Sequence, residues 1–263
     1  MKITDYPQVA DVKTDDVFLI DGTRGTKTIP VSRMPYDLFE GIPEMHNQIY
    51  RGKNLGSIYT PTQKEAVLTG SFTDLWLGDY WVIGGVTYRI ADFNYFMSTG
   101  EPSVTANHIV VVPDQHMGAP APYHNAVEAP GYVNANIRST LSSRASAIVT
   151  AFSDANLLAI PHILMSGTNG EYTKTSSKFE LLTLEYIYGS SSGRSALNAP
   201  QPTNQFSLFR VAPRYIVPSA PTSYYVQNLT PTRRPLYVNV GGVVFSNSLA
   251  SKAEGIRPFF ALR

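Results

Sequence analysis

The chain has no cysteine among its 263 residues. That excludes disulfide scaffolds, thiolate metal sites and cysteine nucleophiles. Charge is also scarce: Asp, Glu, Lys and Arg together make up 16% of the residues, against about a quarter in an average globular chain. The formal net charge is +1, and the longest basic block is the pair Arg233-Arg234. Binding driven by phosphate neutralisation needs clustered Lys and Arg, so a nucleic-acid partner is not expected. No apolar run approaches the roughly 20 residues that span a bilayer, so membrane insertion is not expected. The opening MKITDYPQV lacks the apolar core of a secretory signal, and synthesis in the cytoplasm is the expectation.

What is present is an ordinary hydrophobic share of 43% and an unusual wealth of tyrosine, 16 in all. A surface short of charge must be built from Ser, Thr, Asn, Gln and Tyr. Tyr and Asn offer contact area and hydrogen bonds at little rotamer cost, which suits recognition.

The pattern reads as α+β. Val17-Phe18-Leu19-Ile20 predicts a short strand ended by Asp21-Gly22, and Thr26 to Val31 a returning strand. A lone hairpin is marginal in water, so residues 1–34 are expected to dock on a partner surface. Residues 35–75 read as a linker with short helical turns, punctuated by Pro35, Pro43 and Pro61, with a helix over Thr62–Thr69. Residues 76–263 form the main domain. Its clearest element is YWVIGGVTYRI over 80–90, where Gly84-Gly85 suits a two-residue primed turn pairing Ile83 with Val86 and Trp81 with Tyr88. His108–Pro113 predicts a buried strand. Ile137, Leu141, Ala145, Ile148, Phe152 and Ala155 step by three or four, predicting one helix to about Leu158, capped by Asn134 or Asn136. A second helix is expected over Lys178–Tyr188, with Ser177 and Glu180 at capping-box spacing. Short strands follow at Arg214–Val217, Tyr224–Gln227, Leu236–Val240, Val243–Ser246 and Pro258–Leu262. Gly241-Gly242 is expected to repeat the earlier turn, pairing Val240 with Val243 and Val238 with Phe245.

No catalytic constellation emerges. Gly189-Ser190-Ser191-Ser192-Gly193 matches a nucleophile-elbow string, but it follows a helix within a serine run and predicts a loop. Asp114, His116 and His124 lie near one another, yet Pro120 and Pro122 interrupt any helical ligand spacing, so no metal and no cofactor are expected. His108, on a buried strand, reads as a core histidine. Gly22 to Thr28 has the composition of a phosphate loop without its spacing. Gly255-Ile256-Arg257-Pro258 is instead a structural signal. Proline is tolerated at a strand start, and the residue before it is held extended, so a final apolar strand threads into a sheet.

Several stretches together resemble a family of phage and prophage proteins of gut-type Gram-positive bacteria: YWVIGGVTYRIADFNYF (80–96), HIVVVPDQ (108–115), IRSTL (137–141), FELLTLEYIYG (179–189), NQFSLFRVAPRYIV (204–217) and GIRPFFAL (255–262). The family's domain has no assigned function and is similar to the C-type-lectin-like superfamily, whose domains end in a G-x-R-P-x-F type strand. The superfamily's calcium-site motifs, Glu-Pro-Asn or Gln-Pro-Asp with Trp-Asn-Asp, are absent, so calcium-dependent sugar binding is not implied. DVKTDDVFLIDGTRGTKTIPVSRM (11–34) resembles the opening of phage structural proteins, where it attaches the molecule to the particle. The resemblance implies a non-enzymatic virion protein, made in the host cytoplasm, on a head, neck or tail surface. Its anchor would be Val17, Phe18, Leu19, Ile20 and Ile29. Its partners would be other virion proteins and copies of itself, with a trimer as the expected state. The window from about Tyr224 to Glu254 matches the region where phage proteins of this fold bind host receptors. Candidate contacts to a host glycan or protein are Tyr225, Tyr237, Asn239, Val244, Ser246 and Asn247.

Overall fold

A computed structural model of the chain describes residues 17–20, 27–30, 33–40, 42–166, 171–189, 204–219, 222–247 and 249–263. Strands β1 (Val17–Ile20) and β2 (Lys27–Pro30) form the expected hairpin, with Phe18 opposite Ile29. Asp21-Gly22 and the remainder of residues 1–32 lie outside the described residues. Three short helices follow, α1 (Met34–Phe39), α2 (Pro43–His46) and α3 (Pro61–Leu68), each with proline in its first turn, where the missing N–H costs nothing. Thr60 and Gln63 close a capping box on α3. The segment expected as a linker contributes Ala66, Val67, Phe72 and Leu75 to the core.

Strands β3 (Tyr80–Ile83) and β4 (Val86–Phe93) pair in the register expected, Trp81 against Tyr88 and Ile83 against Val86. Gly84 and Gly85 both have positive φ, +59° and +78°, as a primed turn requires. Next come β5 (Ile109–Pro113), β6 (Ala121–Pro122), α4 (Asn136–Arg144), α5 (Ser146–Phe152), β7 (Leu157–Leu158), β8 (Ile160–Met165), β9 (Tyr172–Ser177) and β10 (Phe179–Leu181). The chain ends with α6 (Leu184–Tyr188), α7 (Ser207–Val211), β11 (Tyr224–Leu229), β12 (Pro235–Val238), β13 (Val244–Ser246), β14 (Ala253–Glu254) and β15 (Pro258–Leu262).

The main sheet runs β10-β15-β5-β4-β3, antiparallel throughout, with β7 also on β15. The last strand thus lies inside the sheet, fully buried along its length. Alternation sends Val110, Val112, Phe259 and Ala261 to one side, against Leu182, Tyr186, Phe206 and Phe209. Ile109, Val111, Phe260 and Leu262 face the other side, against Val67, Phe72, Ile148 and Phe152. A bulge in β4 between Ile90 and Asp92 breaks this alternation. It puts Asp92 beside α7, where its carboxylate accepts from the Ser207 N–H at 2.8 Å. The fold is mixed α+β with mostly antiparallel sheets.

Four expectations are corrected. The single helix to Leu158 is two, α4 and α5, and the chain turns at Ser153, whose φ is +65°. Ile137, Leu141, Ala145, Ile148 and Phe152 are buried as the spacing implies, but Ala155 is exposed. Hydroxyls of Ser139, Thr140, Ser142 and Ser143 donate to carbonyls one turn back, a competition that weakens a helix, and Leu157-Leu158 pairs with β15 instead. Neither Asn134 nor Asn136 caps α4: Asn134 donates to the Ser166 carbonyl, and Asn136 accepts from the Asn125 N–H. The helix expected over Lys178–Tyr188 begins only after Thr183, which caps it. Glu180 is drawn away by Arg138, Tyr132 and Ser177, so Phe179–Leu181 is a strand. Arg214–Val217 is not a strand either. A 3-10 turn over Pro213–Ile216 stands there.

Candidate functional site

Residues 224–246 build a separate three-stranded sheet, β11-β12-β13, ahead of the closing strand. The second Gly-Gly turn has a different form from the first. Gly242 (φ +74°) donates to the Asn239 carbonyl, and Asn239 N–H donates to the Val243 carbonyl, which is a three-residue loop with glycine in the left-handed position. The cause is Asn239, whose side-chain oxygen accepts from both Gly241 N–H and Val243 N–H at 2.9 Å. The register therefore differs by one residue from the expectation. Val238 faces Val244 and Tyr237 faces Phe245, so Val238 does not pair with Phe245.

That single step changes which side chains face outward. Val238 is buried, whereas Val240, Val243 and Phe245 are 55%, 54% and 48% exposed. The Phe245 ring lies against Tyr237, centroids 6.1 Å apart and planes 28° apart. Of the expected contacts, Tyr237, Asn239 and Val244 are half-buried and Ser246 is exposed, all at this tip. Tyr225 and Asn247 are corrected. Tyr225 is 0% exposed, donating to the Lys252 carbonyl and accepting from Asn247, itself buried. Burial pushes the Tyr225 hydroxyl up to about 12. Both residues hold the sheet together from within. Phe245, Val240 and Val243 were missed as contacts because the turn was counted as two residues, although Asn239 followed by Gly242 at turn spacing carries the signal for three.

Beneath this sheet, Arg257 anchors the closing strand. Its guanidinium is 0% exposed and donates to the Pro113 carbonyl at 2.8 Å and the Ile216 carbonyl at 2.9 Å. It also lies over the rings of Phe209 and Tyr224, at 5.6 and 5.4 Å.

The residues weighed for a metal go to separate partners. Asp114 pairs with Arg89 at 2.5 Å, His116 bonds Thr222, and His124 meets the Asn136 N–H. Among the described residues no group of three or more His, Asp or Glu is placed to hold an ion. His108 is a core histidine: Nε2 accepts from Phe96 N–H and Nδ1 donates to the Ala106 carbonyl, so it is neutral, and burial lowers it to about 4. Gly189 ends α6 in a left-handed cap, and Ser190 to Gly193 lie outside the described residues. Among the described residues no helix is long and apolar enough to cross a membrane. The hairpin residues Val17, Phe18, Leu19, Ile20 and Ile29 stand in paired positions.

The tip can form non-covalent contacts: apolar, aromatic and hydroxyl-bearing, and without charge from Pro235 to Ala250. Comparison of the chain with protein-family models, with curated proteins and with solved structures finds no match.

Proposed function

We propose that this chain is a structural protein of a bacteriophage particle, anchored by its N-terminal hairpin and displaying a C-type-lectin-like head whose outer tip contacts the host surface. The observation that carries the reading is the placement of the tip. The Arg257-Pro258 strand lies inside the main sheet, and a separate sheet ahead of it leaves Phe245 exposed, its ring resting on the half-buried Tyr237. A rigid scaffold below and an exposed aromatic and apolar tip above is the division of labour expected of a recognition module. The uncharged surface around Val240 and Val243 favours a glycan or protein receptor over a charged polymer. The hairpin Val17–Pro30 supplies too little surface to be stable by itself and would gain it from a neighbouring virion protein.

Particles carrying the protein should adhere to host cells, and Phe245→Ser with Val240→Ser, both exposed, should cut adhesion about tenfold while the melting temperature holds. Deleting residues 1–34 should leave the head folded and abolish incorporation into particles. Unchanged adhesion of the double variant removes the tip from recognition. Incorporation of the truncated chain removes the anchor.

A further inference from the structure

We infer that the cleft between α4 and β9 is a binding site for a neutral oligosaccharide. Two adjoining hollows of about 810 and 480 Å³ share Ala159 and Ser176 in their linings. Each falls within the roughly 300–1,000 Å³ of ligand sites, and joined they form a trough suited to an extended ligand. Ala135, Ala159 and Ser176 leave it wide, because none carries a long side chain.

The lining's charges are cancelled in place except at Arg263, which is exposed and has no side-chain ion pair among the described residues. Arg138 is held by Glu180 at 2.9 Å, Lys178 by Asp154 at 2.8 Å, and Lys174 by Glu101. Away from Arg263, a charged polymer would have to break one of these pairs to gain its own. The same pairing argues against cleavage of a bound sugar. Glycoside hydrolysis needs two available carboxylates, and Glu180 already accepts from Tyr132, Ser177 and Arg138.

What the cleft offers is hydroxyl and amide capacity in both senses. Ser139 and Ser142 donate their protons to the Asn136 and Arg138 carbonyls, at 2.8 and 3.0 Å, which leaves their oxygens as acceptors. Asn134 uses one N–H on the Ser166 carbonyl and keeps the other. The hydroxyls of Thr175 and Ser176 have no protein hydrogen-bond partner among the described residues and can donate. Phe179, half-buried in the lining, offers an apolar ring of the kind the C–H face of a sugar packs on. Mixed donors and acceptors beside one ring, with all but one of the charges paired, match a polyhydroxyl ligand.

The test is titration calorimetry and saturation-transfer NMR of the full chain with maltohexaose, cellohexaose and chitohexaose, and with hexagalacturonate as the anionic comparison. At least one neutral sugar should bind. Ala159→Trp and Ser176→Phe, both at exposed positions, should each weaken it about tenfold or more, with unchanged melting temperature. Thr62→Trp, on α3, should have no effect. Binding by none of the neutral sugars overturns the inference, as does tighter binding of hexagalacturonate, or neutral-sugar binding that survives both cleft variants. The tip variant Phe245→Ser should leave sugar binding intact, so this site and the proposed host-contact tip can fail separately.

Discussion

Asp92 makes the clearest quantitative claim on the molecule. The β4 bulge places it in the core against α7, where burial raises its pKa from 3.8 to about 6, an effect that hydrogen bonds from Ser207, Phe93 and Asn47 only partly oppose. A raised carboxyl binds its proton more tightly in the folded chain than in the unfolded one. The folded state therefore loses stability as pH climbs through the window from 3.8 to about 6, and the loss is complete above it. That rise corresponds to about 3 kcal/mol. His108 works in the opposite direction. Burial lowers it from 6.5 to about 4, so folding loses about 3 kcal/mol as pH falls through that window. In the wild-type chain the Asp92 and His108 slopes therefore largely cancel between about pH 4 and pH 6. Asp92→Asn removes one of the two opposing slopes and unmasks the other, while His46, also lowered by burial, adds its slope equally to both proteins. Urea unfolding followed by far-ultraviolet circular dichroism should show the variant gaining about 3 kcal/mol over that range relative to wild type. The comparison rests on slope, so an offset from imperfect amide packing does not disturb it. Parallel pH curves would refute the placement of Asp92 in the core.

Two further perturbations follow from side-chain bonds to backbone. Arg257→Met removes the guanidinium donor from the Pro113 carbonyl and leaves the Ile216 carbonyl with the Tyr224 hydroxyl alone, and should lower unfolding stability by about 1–3 kcal/mol, read from the denaturant midpoint; an unchanged midpoint would refute the anchoring role. Asn239→Ala removes both side-chain bonds that shape the tip loop and should cost about 1–2 kcal/mol, with faster amide exchange confined to β12 and β13; uniform exchange across the chain would contradict the local role.

Local chemistry was readable where the turn residues and the flanking apolar pattern agree and no other partner competes. Gly84-Gly85 set the β3–β4 register because both residues take positive φ and the flanking pattern agrees. The burial of β5 and the span of β15 were legible from apolar runs bounded by Pro113 and Pro258. Two of the misreadings come from competition by partners distant in sequence. Ser177 and Glu180 have capping-box spacing, but Arg138 and Tyr132, more than forty residues earlier, hold the Glu180 carboxylate. Leu157 and Leu158 continue a helical stripe yet pair with β15, which comes a hundred residues later. At the tip the error was local: Gly241-Gly242 repeats Gly84-Gly85, and only the preceding Asn239 makes the loop one residue longer.

The distribution of charge connects scaffold and surface. Arg89 with Asp114, Arg51 with Asp79, and Arg138 with Glu180 all pair at buried or half-buried positions, and Arg257 is buried without an acid among its described partners. Such interior ions add little net stability, because desolvation offsets much of the attraction. Their geometry still fixes which strands and loops may meet: Arg89 also donates to the Gly78 carbonyl and lies over the Tyr80 and Tyr215 rings, tying β3 and β4 to the turn before β11. A chain with few charges that places several of them inside has fewer left for its outside. From Pro235 to Ala250 there are none, and among the described residues the side chains exposed there are Val240, Val243, Phe245, Ser246 and Leu249. Contact at such a face depends on shape and apolar area, and very little on ionic steering. Truncating Phe245 removes contact area while leaving the buried ion pairs below untouched, so a loss of adhesion there reports on recognition and not on the stability of the head.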